Sequence, residues 1–261
     1  MTAPAFASQL RFDAATALAR ELDFHGPQPA FFGAPRATSA PLVVGDFTGD
    51  IAHGASCNCH RISLVPHCNG THTESVAHLT DATTPVHRLL PLAPLPALLL
   101  TVDLSEAIAA GESSDPAPQQ GDLLVTAAAL RHARPATLPF APRALLLRTR
   151  GTHGNEDNPP YLSREAATQI VAWGIEHLVV DLPSVDRSRD QGRLTAHRVF
   201  FGLPPGSRRA ADAMRGHCTI TELAEFPATV VDGPCGLLLQ LPAFSGDAVP
   251  SRPIHLPLAA A

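Results

Sequence analysis

Apolar positions in this chain fall mainly in short runs. Residues 98–104 and 144–149 are nearly continuous stretches of leucine, valine and alanine bounded by proline, glycine or charge, the pattern of strands covered on both faces. Residues 61–65 make a shorter β-like run closed by Pro66, and Asn69-Gly70 is a turn dipeptide opening onto residues 71–79. Residues 178–181, 219–223 and 237–241 add further short runs. Helical spacing recurs over residues 7–22 and again over 164–173, where Ser163 serves as N-cap and Gly174 as the stop. Residues 195–202 suit a strand or the start of a helix. The Gly/Pro-rich stretch 24–40 reads as an ordered loop, and the polar stretch 112–120 as an exposed one.

Strands therefore outnumber helices, and one helix-then-strand unit stands out. That pattern predicts an α/β protein with a mixed, barrel-like sheet and flanking helices rather than a regular doubly wound sheet. Neither an internal repeat nor a linker-like boundary is visible, so residues 1–261 are expected to form a single domain. The 26 prolines are scattered at the ends of runs, where they punctuate elements.

Composition narrows the chemistry. All 19 basic residues are arginine, which excludes Schiff-base lysines, the P-loop lysine and the kinase lysine together. A net charge of -5, without basic runs interleaved with aromatics, argues against nucleic acid and anionic membranes. A small-molecule substrate is the expected partner. No apolar stretch reaches the ~18–20 residues of a membrane span, and the first 20 residues lack the layout of a targeting signal. Five cysteines, an odd number in a chain of this size, fit a reducing and hence cytoplasmic setting.

The densest polar segment is Pro66-His67-Cys68-Asn69-Gly70-Thr71-His72-Thr73-Glu74-Ser75-Val76-Ala77-His78. If residues 71–79 are extended, His72, Glu74 and His78 share one face. On a helix, His72 and His78 would stand about 240° apart. Two imidazoles and a carboxylate, with Cys68 or His67 just before them, suit Zn²⁺ or Mn²⁺. The plainer alternative is a polar surface strand, since the chain holds 13 histidines. The Cys57-Asn58-Cys59-His60 group lacks the second ligand pair of a structural zinc site, so packing or adventitious oxidation is expected there. His25, His53, His87, His132, His153, His177, His217 and His255 are read as surface or core residues.

The segment resembles the H-x-G-T-H-x-D-x-P-x-H signature of the cyclase family of metal-dependent hydrolases, which includes kynurenine formamidase and isatin hydrolase. Further segments follow in that family's order: Leu146-Leu147-Arg148-Thr149, Leu162-Ser163-Arg164-Glu165-Ala166-Ala167, Asp181-Leu182-Pro183-Ser184-Val185-Asp186, Ala196-His197-Arg198 and Thr221-Glu222-Leu223. The resemblance spans about residues 22–258. It implies a swivelling β/β/α fold and one or two metal ions held by His72, Glu74, His197 and Glu222. His78 takes the place of the general acid/base. The first signature histidine is replaced by Cys68, which keeps the four-residue spacing to His72, with His67 one step earlier as the alternative ligand. A thiolate there would favour Zn²⁺. Glu74 stands for the usual aspartate, and Val76 for the usual proline.

By the same resemblance, Phe31 and Phe32 sit where an aromatic residue walls the substrate pocket, although two adjacent phenylalanines also suit core packing. One of Asp181 and Asp186 is expected to hold a ligand histidine by a hydrogen bond. The implied activity is hydrolysis of a C–N bond in a formyl amide or cyclic amide by metal-activated water, as in an arylformamidase. A lactone or isatin-type hydrolase, a binding or lyase-type module, and a purely structural zinc site are the rival expectations. A homodimer or homotetramer is implied by the family.

Overall fold

Long apolar runs demand cover on both faces, and the chain supplies it from a single large sheet. In the computed structural model, which describes residues 6–151 and 157–259, nine strands form this sheet: β1 (Thr16–Ala17), β2 (His72–Ser75), β3 (Leu95–Asp103), β4 (Ala144–Arg150), β5 (His177–Val180), β6 (Thr219–Glu222), β7 (Gly233–Gln240), β8 (Ala248–Pro250) and β9 (Arg252–Pro257). Their order is β1-β9-β7-β3-β4-β5-β6-β2-β8. The four central strands β3, β4, β5 and β6 run parallel; the flanking pairs are antiparallel. The result is a mixed half-barrel with β1 and β8 at its edges.

Parallel neighbours need crossovers, and each contains a helix: α2 (Ala127–Ala133) between β3 and β4, α3 (Arg164–Ala172) between β4 and β5, and α4 (Thr195–Phe201) between β5 and β6. A one-turn helix, α1 (Pro66–Asn69), precedes β2. Leu98, Leu100, Leu145, Leu147, Leu178, Val180 and Ile220 pack with Leu130, Ile170 and Phe200 of the helices. The opposite face buries Leu95, Leu99, Leu146, Val179 and Leu237 against Leu18 and Val230. All three crossover helices thus cover one face, which is why the sheet is not doubly wound. Each fully buried leucine contributes about 1.5–3 kcal/mol. Ser163 caps α3 as its sequence predicts, accepting from the Ala166 N–H at 2.9 Å.

Several elements depart from the sequence pattern. Instead of a helix over residues 7–22, the chain makes a 3-10 turn at Phe12–Ala14 and then β1, whose residues pair with Ile254 and His255. Edge pairing and burial of Leu18 outweigh local helical spacing there. The extended run expected over 71–79 stops at Ser75, whose hydroxyl accepts from the Ala77 N–H and starts a 3-10 turn, Val76–His78. Residues 195–202 resolve as helix, and three strand–helix–strand units are present where one was apparent. Cys57 and Cys59 are exposed rather than packed. They lie on an arm of two small antiparallel ladders, Thr38–Pro41 with His60–Ser63 and Val43–Val44 with Phe47–Thr48. His153 lies outside the described residues. Among those described, no helix is long and apolar enough to cross a membrane.

Candidate metal centre

The centre is built first by strand pairing. β2 and β6 are antiparallel, with His72 opposite Glu222 and Glu74 opposite Ile220. Alternation puts His72, Glu74 and Glu222 on the helix-covered face. There His72 Nε2 lies 3.4 Å from Glu222 Oε2. α4 delivers His197 to the same point, its Nε2 2.7 Å from Glu74 Oε1 and 3.7 Å from Glu222 Oε1. All four side chains are buried.

Yet His72 Nε2, His197 Nε2 and both Glu74 oxygens lack any partner with hydrogen-bond geometry. They face one another at ion-pair distances without hydrogen-bond alignment, and a cation between them would satisfy them all. Their lone pairs converge, and ligand atoms of His72, Glu74 and Glu222 all lie within 4.8 Å of one another. Imidazole and carboxylate donors in this arrangement fit a divalent cation of the transition series.

Polar groups behind these side chains fix their direction. A carbonyl oxygen can only accept, so His72 Nδ1–H donates to Gly70 O at 3.0 Å and Nε2 is left facing Glu222. His197 Nδ1 meets Asp186 Oδ2 at 2.6 Å. Asp186 also accepts from the Ala196 and His197 backbone N–H groups, tying the ring to the first turn of α4. The Val185 N–H donates to Glu222 Oε1 at 2.7 Å. Of the two aspartates weighed from sequence, Asp186 therefore holds the His197 ring, whereas Asp181 accepts from Thr149. Burial alone would raise the Glu74 pKa, but the His197 and His78 imidazoles drive it well below the usual carboxylate range. Burial would likewise lower that of His197, but Glu74 and Asp186 hold it well above the usual value.

A second group borders the first. His67 Nδ1 lies 2.9 Å from Glu74 Oε2, and its Nε2 lies 2.9 Å from Asp247 Oδ2. Burial opposes protonation of this ring, but the Asp247 and Glu74 carboxylates raise its pKa to about 10. His78 stacks on His67 with ring centroids 4.2 Å apart, 3.7 Å from Asp247 Oδ2 through Nδ1. Its ring centroid is 5.6 Å from that of His197. His78 reaches this place from the 3-10 turn after β2, not by strand alternation.

Cys68 is buried but joins neither group of converging ligand atoms among the described residues. Cys68 keeps the signature's four-residue spacing to His72, but residues 66–69 are coiled as α1 and it is the His67 ring that meets the Glu74 and Asp247 carboxylates. Burial and the nearby Glu222 charge raise the Cys68 thiol pKa. Phe31 lines a cavity of about 400 Å³ with Arg20, Thr149, Asp181, Leu223 and Phe226, and no side chain of the cation centre lines it. Phe32, half exposed, borders a neighbouring groove with Arg20 and Gln28. A further open cavity of about 500 Å³ touches His78, Thr80, Asp81 and Arg198. Asp247 escaped sequence reading because no motif surrounds it.

Fold and site together define a mixed α/β protein with a His/Glu cation centre between two antiparallel strands and a helix. The family described as "Putative cyclase" matches residues 12–187, and the chain belongs to the cyclase family. His197 and Glu222 lie beyond the matched stretch, so their place in the centre rests on the tertiary structure. Isatin hydrolase A from Labrenzia aggregata, bound to benzyl benzoate, is 15% identical over 97% of this chain and 96% of its own, with a TM-score of 0.61. Isatin hydrolase A from Ralstonia solanacearum is 15% identical over 98% and 97%, with a TM-score of 0.60. A "predicted metal-dependent hydrolase" from Bacillus stearothermophilus is 15% identical over 93% and 97%, with a TM-score of 0.57. At that identity the likeness is one of fold. No curated protein sequence matches the chain.

Proposed function

We propose that this chain is a metal-dependent amidohydrolase that cleaves the C–N bond of a formyl amide or a cyclic amide. The observation that carries the reading is the convergence of buried His72, Glu74 and His197 atoms that lack hydrogen-bond geometry, beside a more exposed imidazole, His78. A divalent ion held by His72, Glu74, His197 and Glu222 supplies Lewis-acid activation of water and of the substrate carbonyl when bound. The residues around it keep the ligands aimed: Gly70 for His72, Asp186 for His197, and the Val185 N–H for Glu222. His78 carries the proton to the departing amine, a task suited to an imidazole at the edge of the buried cluster. Phe31 walls a separate cavity of about 400 Å³ and, as the family resemblance implies, meets the flat part of the substrate. Phe32 extends that wall outward.

Isatin hydrolases share the fold, and isatin is a cyclic amide, which favours amide hydrolysis over a bare binding role. N-formylkynurenine is the first substrate to test, followed by isatin and a simple lactone. Protein reconstituted with one equivalent of Zn²⁺ or Mn²⁺ is expected to release formate or the ring-opened acid; ligand bound and recovered unchanged with every substrate would sink the enzyme reading. The proposal includes a homo-oligomer, supported by the exposed Val43, Val44, Ile51 and Ile62 on the arm. It also includes a reducing, cytoplasmic setting, supported by the five free cysteines.

A further inference from the structure

Two arginines beside the centre carry charge that no ion pair answers. Elsewhere Arg143 meets Glu176, Arg148 meets Asp232 and Arg187 meets Asp122. Arg198 and Arg208 have no such carboxylate among the described residues. Arg198 Nε donates to Arg193 O at 2.9 Å, and its Nη1 donates to Pro204 O at 3.0 Å and to Ser207 O at 2.9 Å. These carbonyls fix the guanidinium without neutralising it, and they leave the Nη2 donors over. Burial and then the charge of Arg208 lower the Arg198 pKa, against an opposing pull from Asp186. Like charges set this close repel.

Both arginines are placed by the centre itself. Arg198 follows His197 on α4. The Arg208 carbonyl accepts from the Asp81 N–H at 3.0 Å, three residues past His78. Both side chains line the open cavity of about 500 Å³ that His78 also lines. Asp81 is the one acid in that wall, and its Oδ1 accepts from the Ala210 N–H at 2.7 Å. His72, Glu74, His197 and Glu222 do not reach it. The cavity therefore starts where the cation centre stops, with His78 shared between them.

We propose that Arg198 and Arg208 bind a carboxylate that the substrate carries on the amine side of its scissile amide, so that the protein selects anionic over neutral amides. The inference rests on the function proposed above: His78 passes its proton to the departing amine, so the space beyond His78 receives the amine portion. Guanidinium groups offer paired N–H donors that match the two oxygens of a carboxylate. An anion there also relieves the repulsion between the two cations. Arg198 is held in advance by its three carbonyls, which spares the entropy of ordering it on binding; Arg208 closes from the exposed side. N-formylkynurenine, whose amine portion ends in a carboxylate, therefore outranks isatin, which is neutral.

The test compares an acid with its uncharged-end analogue. Protein carrying one equivalent of Zn²⁺ is given N-formylkynurenine and its methyl ester, and formate release is followed. The parent is expected to favour the acid by about 10-fold in kcat/KM, the scale of one charge-assisted contact. Arg208→Gln should lose about the same factor on the acid, through KM rather than kcat, and stay within about twofold on the ester. Arg208→Lys should recover part of the loss. Equal turnover of acid and ester by the parent, or a loss in Arg208→Gln that is the same for both, overturns the proposal. Calorimetric binding of kynurenine, the amine product, decides the site without turnover: Arg208→Gln should weaken it about 10-fold, and an equal Kd or no binding to the parent also overturns the proposal. Failure to hydrolyse either substrate while kynurenine binds in this Arg208-dependent way would count against the proposed function and leave the carboxylate site standing.

Discussion

His72 and Glu222 are direct partners across the antiparallel β2–β6 ladder, although 150 residues separate them in the chain. That pairing places an imidazole nitrogen and a carboxylate oxygen 3.4 Å apart on the buried face. A slip of one residue would turn His72 to the other face. The centre is thus specified by the same backbone hydrogen bonds that build the sheet, and the α4 crossover then adds His197 from above.

Replacing His72 with alanine is expected to remove the bound ion and activity together, leaving Glu222 without its cross-strand partner. Elemental analysis beside a turnover assay checks this. An unchanged metal load in His72→Ala would take His72 out of the site.

Asp186→Asn keeps one side-chain oxygen, enough for the Ala196 N–H, but replaces the oxygen that faces the His197 N–H and Nδ1 and removes the charge behind that ring. Affinity for the ion should fall about 10–100-fold with the fold retained. Competition with a chelator, read beside circular dichroism, measures both; equal affinity would leave Asp186 with a capping role alone.

His78→Ala is expected to keep the ion while losing roughly 10²–10⁴-fold in rate. Counting metal at one equivalent separates the two effects, because loss of that ion in step with rate would make His78 a ligand.

Cys68 stands outside both groups of converging ligand atoms. Cys68→Ser should therefore retain the ion at unchanged Zn²⁺ affinity, and a titration in which serine weakens binding sharply would restore a thiolate ligand.

His177 is buried at the start of β5, its Nδ1 2.9 Å from Thr219 Oγ1, and burial pushes its pKa down to about 4. An unfolded chain takes up a proton here as pH falls below ~6.5, whereas the folded one resists until near that lower value. The stability is therefore fully present above ~6.5 and declines as pH drops toward the folded pKa, by up to about 3 kcal/mol at ~1.4 kcal/mol per pH unit. Urea unfolding of parent and His177→Gln at neutral and acidic pH should show a smaller acid loss in the variant; equal losses would exonerate His177.

The sequence by itself determined the features that depend on neighbouring residues. Continuous apolar runs marked β3 and β4, Ser163 and Gly174 bounded α3, and period-two alternation put His72 beside Glu74 on one face. Each follows from backbone geometry over a few positions, which leaves a local imprint. Tertiary structure decided the rest. Residues 16–17 became strand because β9 lay open beside them, and His78 came round on a 3-10 turn where alternation would have carried it on a straight strand. The α1 coil brought His67 rather than Cys68 to the Glu74 and Asp247 carboxylates, and the path into α4 set Asp186 rather than Asp181 behind the His197 ring. Asp247 reaches His67 across 180 residues of sequence. Which side chains meet over such separations is set by strand register and crossover packing, long-range terms that no short window of sequence contains.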